Sequence, residues 1–184
     1  FGNSYYFFQK QLLMAVKKVD FGMYLGTEEE KVLLPKRQVP EGLEIGDPVE
    51  VFLYKDSQDR LIATTNEPKI TLGEVKVLKV IDTVRIGAFL DWGLEKDLLL
   101  PFKQQKRRVN PGDTVLVSLY QDKSGRLCAT MNVYPYLRTD SEYKKDDRVK
   151  GIVYQTSDNF GAFVAVDGQF SGLIPKKEMY GNVK

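Results

Sequence analysis

The chain has 184 residues, 42% hydrophobic and 28% charged, with a formal net charge of +2. That composition is globular, and it excludes intrinsic disorder, collagen and a bundle of membrane helices. With no histidine and one cysteine, Cys128, the chain has no imidazole base, no Cys-His or Ser-His-Asp arrangement, no internal disulfide and no thiolate metal cluster.

The opening FGNSYYFFQKQ lacks the charged and apolar regions of a signal peptide, and no apolar run nears the ~20 residues that cross a bilayer. No membrane association and a cytoplasmic location are therefore expected. The first aromatics, Tyr5, Tyr6, Phe7 and Phe8, are read as part of a trimmed terminus and given little weight. Charge is unevenly spread: residues 1–68 hold 8 basic and 11 acidic side chains, 69–134 hold 11 and 7, and 135–184 hold 8 and 7. The middle third is the basic one.

In chain order, Leu12 to Val19, Gly22 to Leu25, Lys31 to Leu34, Pro48 to Tyr54 and Arg60 to Thr65 read as strands, being short, alternating or β-branched runs punctuated by Gly, Pro, Asp and Asn. The polar segment after Leu34-Pro35 has room for one 3₁₀ turn before the fourth strand. The pattern then repeats. VDFGMYL at 19–25 returns as VRIGAFL at 84–90 and DNFGAFV at 158–164, and each is followed by an apolar-Pro pair ending in Pro35, Pro101 or Pro175. Pro35 and Pro101 are 66 residues apart, and the same offset carries Gly46-Asp47 onto Gly112-Asp113 and YKDSQDRLIATTN onto YQDKSGRLCATMN. The third copy follows a longer charged linker, YPYLRTDSEYKKDD, and has only 9 residues after Pro175, too few for its last two strands.

Five short strands interrupted after the third suit a small closed Greek-key barrel, which removes the exposed-edge liability. The fold expected is all-β: tandem five-stranded OB-fold barrels over residues 1–68 and 73–134, with the N-terminal part of a third over 147–184. A five-stranded SH3-like barrel is the alternative. An unfinished barrel would leave strand edges bare, so the natural chain is expected to continue past Lys184.

The FGMYL or FGAFV turn, the apolar pair closing strand three, Gly-Asp before strand four and DxxxR leading into LIAT or LCAT together resemble the S-one RNA-binding domain, named after the ribosomal protein. Three such domains in this arrangement are similar to the conserved virulence factor B proteins of bacteria. The resemblance implies an RNA-contacting set of two aromatics around the Phe-Gly, a histidine after the apolar pair, and the Asp and Arg of DxxxR. Carried onto this chain, that set is Phe21, Tyr24, Asp56 and Arg60 in the first copy and Phe89, Asp122 and Arg126 in the second. In the third it is Phe160 and Phe163. The histidine place holds Pro35, Pro101 and Pro175, and Ile86 replaces the first aromatic of the second copy.

Flat aromatic faces for bases and cations for the backbone are what a sequence-tolerant binder of single strands needs. Residues three apart point to opposite sides of a regular strand, so Phe21 and Tyr24, or Phe160 and Phe163, share a groove only if Gly22 or Gly161 breaks the pleat. Otherwise one of each pair is core, and Tyr24, Phe89 and Phe163, inside strands, are its candidates. Arg60 and Arg126 can fork onto a phosphate, or can merely close a hairpin with Asp56 and Asp122. After strand three, cations recur at one place: Lys36 and Arg37, then Lys103, Lys106, Arg107 and Arg108, then Lys176 and Lys177. Phosphate contact and a solvated charged face are both open readings of them.

Cys128 aligns with Ile62 and reads as a buried thiol, Trp92 as local packing, and Glu28, Glu29 and Glu30 as a solvated turn. With no Walker loop, dinucleotide fingerprint or metal-ligand spacing, no catalytic residue, cofactor or metal is assigned. The expected function is non-catalytic binding of single-stranded RNA, bearing on post-transcriptional regulation. The alternative is a protein-interaction or assembly module on the same barrels.

Overall fold

The computed structural model describes residues 7–139, 141, 143, 145, 147–157 and 161–178. They fall into two compact units. One holds the described residues up to Thr71 together with Gly93–Asp97, and the other holds Leu72–Trp92 and the described residues from Leu98 onward.

In the first unit, β1 (Lys10–Val19), β2 (Gly22–Gly26), β3 (Lys31–Pro35), β4 (Pro48–Lys55) and β5 (Leu61–Thr64) close into a barrel in the order β1-β2-β3-β5-β4. This is the Greek-key order of the OB-fold rather than of an SH3-like barrel. Alternation decides which side chains fill it. Met23 and Leu25, Val32 and Leu34, Val51 and Leu53, and Ala63 all point inward and are buried, with Ala15 of β1 among them. Each fully buried Leu here contributes about 1.5–3 kcal/mol relative to exposure.

Three short sequence features hold the barrel shut. The single parallel pairing of β3 with β5, Leu33 opposite Ile62, is reinforced by Gln38 of the 3₁₀ turn Lys36–Gln38, whose side-chain oxygen accepts from Thr64 Oγ1 (3.0 Å) and Thr65 N (3.1 Å). Gly46-Asp47 caps a bulge in β1: Gly46 N donates to Ala15 O, and Ala15 N to Asp47 O. Gly22, at φ +155°, lets β2 pass so close to β3 that a Cβ would lie 2.2 Å from Leu34 O.

Phe8 corrects the reading of the amino terminus. It is 4% exposed and its N–H donates to Leu53 O, so it belongs to the first unit's core.

In the second unit, β6 (Val75–Val84), β7 (Gly87–Asp91), β8 (Leu98–Pro101), β9 (Thr114–Gln121) and β10 (Leu127–Thr130) form a five-stranded sheet in the order β10-β9-β6-β7-β8. This is the first barrel's order without a ladder between β8 and β10. Gln104 spans that seam, accepting from Thr130 Oγ1 through its side chain and from Met131 N through its backbone. A smaller sheet, β11 (Gly151–Ser157), β12 (Gly161–Val166) and β13 (Phe170–Pro175), is the incomplete third copy. The segment between them is less loose than its charge suggests: Val133 and Leu137 are buried with Val75, Leu116 and Ala165. Among the described residues, no helix is long and apolar enough to cross a membrane.

Candidate nucleic-acid interface

Because inward positions are taken by the core, the alternate positions of the same strands form an outward row. Tyr24 lies opposite Leu33, Leu33 opposite Ile62, and Ile62 opposite Tyr54, which places four apolar or aromatic side chains side by side across β2, β3, β5 and β4, the first three half-buried and Tyr54 buried. In the second unit Phe89 lies opposite Leu99, and Cys128 opposite Tyr120. In the third copy Phe163 faces Leu173. Tyr24, Phe89 and Phe163 are thus not core residues: each is half-buried on the outer face, while Met23, Ala88 and Ala162 are buried beside them.

Gly22 also settles whether the paired aromatics share a face. Its left-handed backbone breaks the pleat, and the Phe21 and Tyr24 rings meet edge to face with centroids 6.2 Å apart and planes at 86°. Phe21 is 57% exposed, and Lys31 Nζ stands 6.0 Å from the Tyr24 ring. Pro35, which holds the histidine place, pairs with Gly22 and so borders Phe21. Phe160 lies outside the described residues, and so does the side chain of Lys177. Phe163 packs on Tyr154, with centroids 6.2 Å apart.

The Asp of each DxxxR organises its own turn. Asp56 Oδ1 accepts from Gln58 N and Arg60 N, and Oδ2 accepts from Arg60 Nε at 3.1 Å. Burial opposes ionisation of Asp56, but these donors outweigh it and hold the carboxyl below its ordinary value. At Asp122 the Ser124 hydroxyl, 2.6 Å away, is the largest influence; with the Arg126 and Ser124 backbone N–H groups, and against burial, it brings the carboxyl down to about 2. The hairpin-closing reading therefore describes both carboxylates. Only Nε of Arg60 and Arg126 is used in these pairs, and the arginine side chains remain 70% and 46% exposed.

The cations after strand three divide into engaged and free. Arg37 grips Glu95 with Nε and Nη2 on the two carboxylate oxygens. Glu95 belongs to the Gly93–Asp97 segment of the first unit, where Lys96 Nζ donates to Asp56 O at 2.9 Å. Burial, followed by the Glu95 and Asp56 carboxylates, pushes the Tyr54 phenol up, and Arg37 holds Glu95 below its ordinary value. Arg107 reaches Asp113 (3.6 Å) and Thr114 O (3.4 Å). Lys36, Lys103, Lys106, Arg108 and Lys176 make no ion pair with any described residue.

Sequence reasoning missed Tyr54, Tyr120 and Glu95. The first two follow from strand alternation once register is known, whereas nothing local marks Glu95. Cys128 and Trp92 are buried, and among the described residues no acidic or cysteine cluster is placed to hold a metal ion.

Comparison with known families decides the lineage of these barrels. The family model described as S1 domain matches residues 9–66 and again 72–132, and the S1 RNA binding domain model matches 142–182. The chain belongs to the S1 domain family. Its tandem S1 domains are shared with the conserved virulence factor B proteins of Staphylococcus aureus, which are 26% identical over 163 residues, covering 83% of this chain and 54% of theirs. The uncharacterized protein YitL of Bacillus subtilis is 33% identical over 179 residues, covering 92% of this chain and 60% of its own length. A crystal structure of a multidomain protein with nucleic acid binding domains from Streptococcus pneumoniae TIGR4 superposes with a TM-score of 0.63 at 20% identity, over 97% of this chain and 65% of that one. That likeness shows that the two chains share a fold. The chain thus spans a little over half the length of these relatives.

Proposed function

We propose that this chain is a non-catalytic RNA-binding protein that holds single-stranded RNA across the outward rows of its S1 modules, over residues 1–68, 73–134 and 147–184. The observation that carries the reading is the Phe21–Tyr24 pair: two aromatic rings on one face, with Lys31 Nζ 6.0 Å from the Tyr24 ring and Lys36 joined to Phe21 by a backbone hydrogen bond. Each base stacked on such a ring is worth about 1–3 kcal/mol, and the neighbouring cations take the phosphates. Membership of a family whose third matched model is an RNA-binding domain supports the same reading. The role that fits it is post-transcriptional regulation of gene expression in the cytoplasm.

The test is fluorescence anisotropy with a labelled single-stranded RNA, the matching DNA and a duplex RNA, over a salt series. The logarithm of affinity should fall linearly with log salt, by about 0.7 per phosphate engaged, with RNA preferred over DNA. Absence of binding at low salt would overturn the reading. The prolines at 35, 101 and 175, which lack the polar edge of histidine, would then favour a protein partner for the same faces.

A further inference from the structure

The second S1 domain has lost the aromatic that begins the FGMYL turn, yet the structure returns one beside the vacancy. Ile86 takes the place of Phe21 and is 61% exposed. Phe102, the first residue after the strand-three proline, is 56% exposed and occupies the position held by Lys36 and Lys176 in the other two copies. In the first barrel Lys36 N donates to Phe21 O at 2.9 Å, and in the second Phe102 N donates to Ile86 O at 3.3 Å. Aromatic and aliphatic or cationic partners have exchanged sides of one recurring backbone hydrogen bond. The face still carries a ring.

What surrounds that ring is unlike an ordinary exposed apolar residue. Phe102 lines a cavity of about 500 Å³ with Thr83, Lys106, Arg107, Arg108 and Asn110, and no lining residue is acidic. Arg107 is held by Asp113, which fixes one wall, while Lys106 and Arg108 have no ion-pair partner among the described residues. An exposed apolar patch rimmed by cations fits a ligand that is flat on one side and anionic on the other. Packing within the domain does not explain Phe102, since lysine serves at the same place in both other copies.

We propose that Phe102 is the base-stacking residue of the second S1 domain, and that it forms with Lys106 and Arg108 a nucleotide subsite: the base lies on the Phe102 ring and the phosphate on the two cations. The subsite rests on the single-stranded RNA reading and lies outside the residue set the family resemblance implies. It also gives the basic middle third of the chain a second component, stacking, beside its charge.

The test uses the whole 184-residue chain and a single-stranded RNA carrying 2-aminopurine, whose emission is quenched when the base stacks. Phe102→Ala should weaken binding by about tenfold and relieve part of the quenching, whereas Phe102→Tyr should keep both. The salt slope should be unchanged in Phe102→Ala and shallower in a Lys106→Ala, Arg108→Ala double variant. Because Phe102 is largely exposed, the melting temperature should not move. Wild-type affinity and quenching in Phe102→Ala, with RNA still bound, would overturn the subsite and leave the RNA reading intact. Failure of the wild-type chain to bind RNA would overturn both.

Discussion

Arg37 and Glu95 form a two-pronged ion pair within the first unit, with guanidinium Nε and Nη2 each on one carboxylate oxygen. A carboxylate thus occupies a cation that the sequence offers to RNA, at a place where the equivalent Lys103 of the second domain makes no ion pair with any described residue. The fork geometry that suits a carboxylate suits a phosphate equally, so the two compete for one site.

Glu95→Gln should therefore release Arg37 and tighten single-stranded RNA binding about threefold at low salt, an effect kept small by the exposure of the pair. The salt slope should steepen by about 0.7, one phosphate's worth. An unchanged slope in titrations of both proteins would show that Arg37 does not reach the strand.

In the first barrel, Phe21→Ala should weaken RNA binding about tenfold and Arg60→Ala by a few-fold, with neither unfolding the barrel. Both side chains are mostly exposed, so circular dichroism melts should match the wild type. Wild-type affinity in both variants would remove these two side chains from the RNA site.

Gly22 and Gly46 separate two costs that glycine can avoid. Both have positive φ, but an added Cβ at Gly46 meets nothing within 4 Å, while at Gly22 it lies 2.2 Å from Leu34 O. Gly46→Ala should cost only backbone strain, about 1 kcal/mol. Gly22→Ala must also push β2 off β3, and should cost at least about 3 kcal/mol by urea denaturation. Equal losses would mean that the close approach of the two strands is easily relaxed.

How far the sequence reached follows from the range of each interaction. The strands of the first barrel were legible to within two residues because alternation and Gly-Pro punctuation are local, and the repeats made each strand visible more than once. The shared face of Phe21 and Tyr24 was legible as a condition on Gly22, but only the backbone angle could decide it. Phe8 was missed because the partner of its backbone N–H, Leu53 of β4, lies over forty residues away in the chain. Glu95 was missed for a related reason: its partner lies 58 residues upstream, and ion pairs of that separation leave no periodic trace. Phe102 sits in plain view after Pro101, but its meaning depends on the hydrogen bond to Ile86 O, which pairing of β7 with β8 supplies.

Asp122 gives the second unit an acid-sensitive turn. Its carboxyl is held at about 2 in the folded protein, against an ordinary value of 3.8, chiefly by the Ser124 hydroxyl and then by the backbone N–H groups of Arg126 and Ser124. A folded-state value below the unfolded one means that the ionised form is the one the fold prefers. The stabilisation is fully present above pH ~4 and is lost as pH falls from there toward about 2. Thermal melts of the wild type should therefore be flat, for this group, between neutral pH and pH ~5 and decline below pH ~4. Asp122→Asn cannot ionise, so it should be less stable at neutral pH and show a shallower decline in acid, the two proteins converging near pH ~2. Ser124→Ala, which removes the nearest donor, should raise the folded-state value toward 3.8 and so make that decline smaller and confine it closer to pH 3.8. Parallel melting curves for wild type and Asp122→Asn across the acid range would show that the Asp122 turn does not carry this pH dependence.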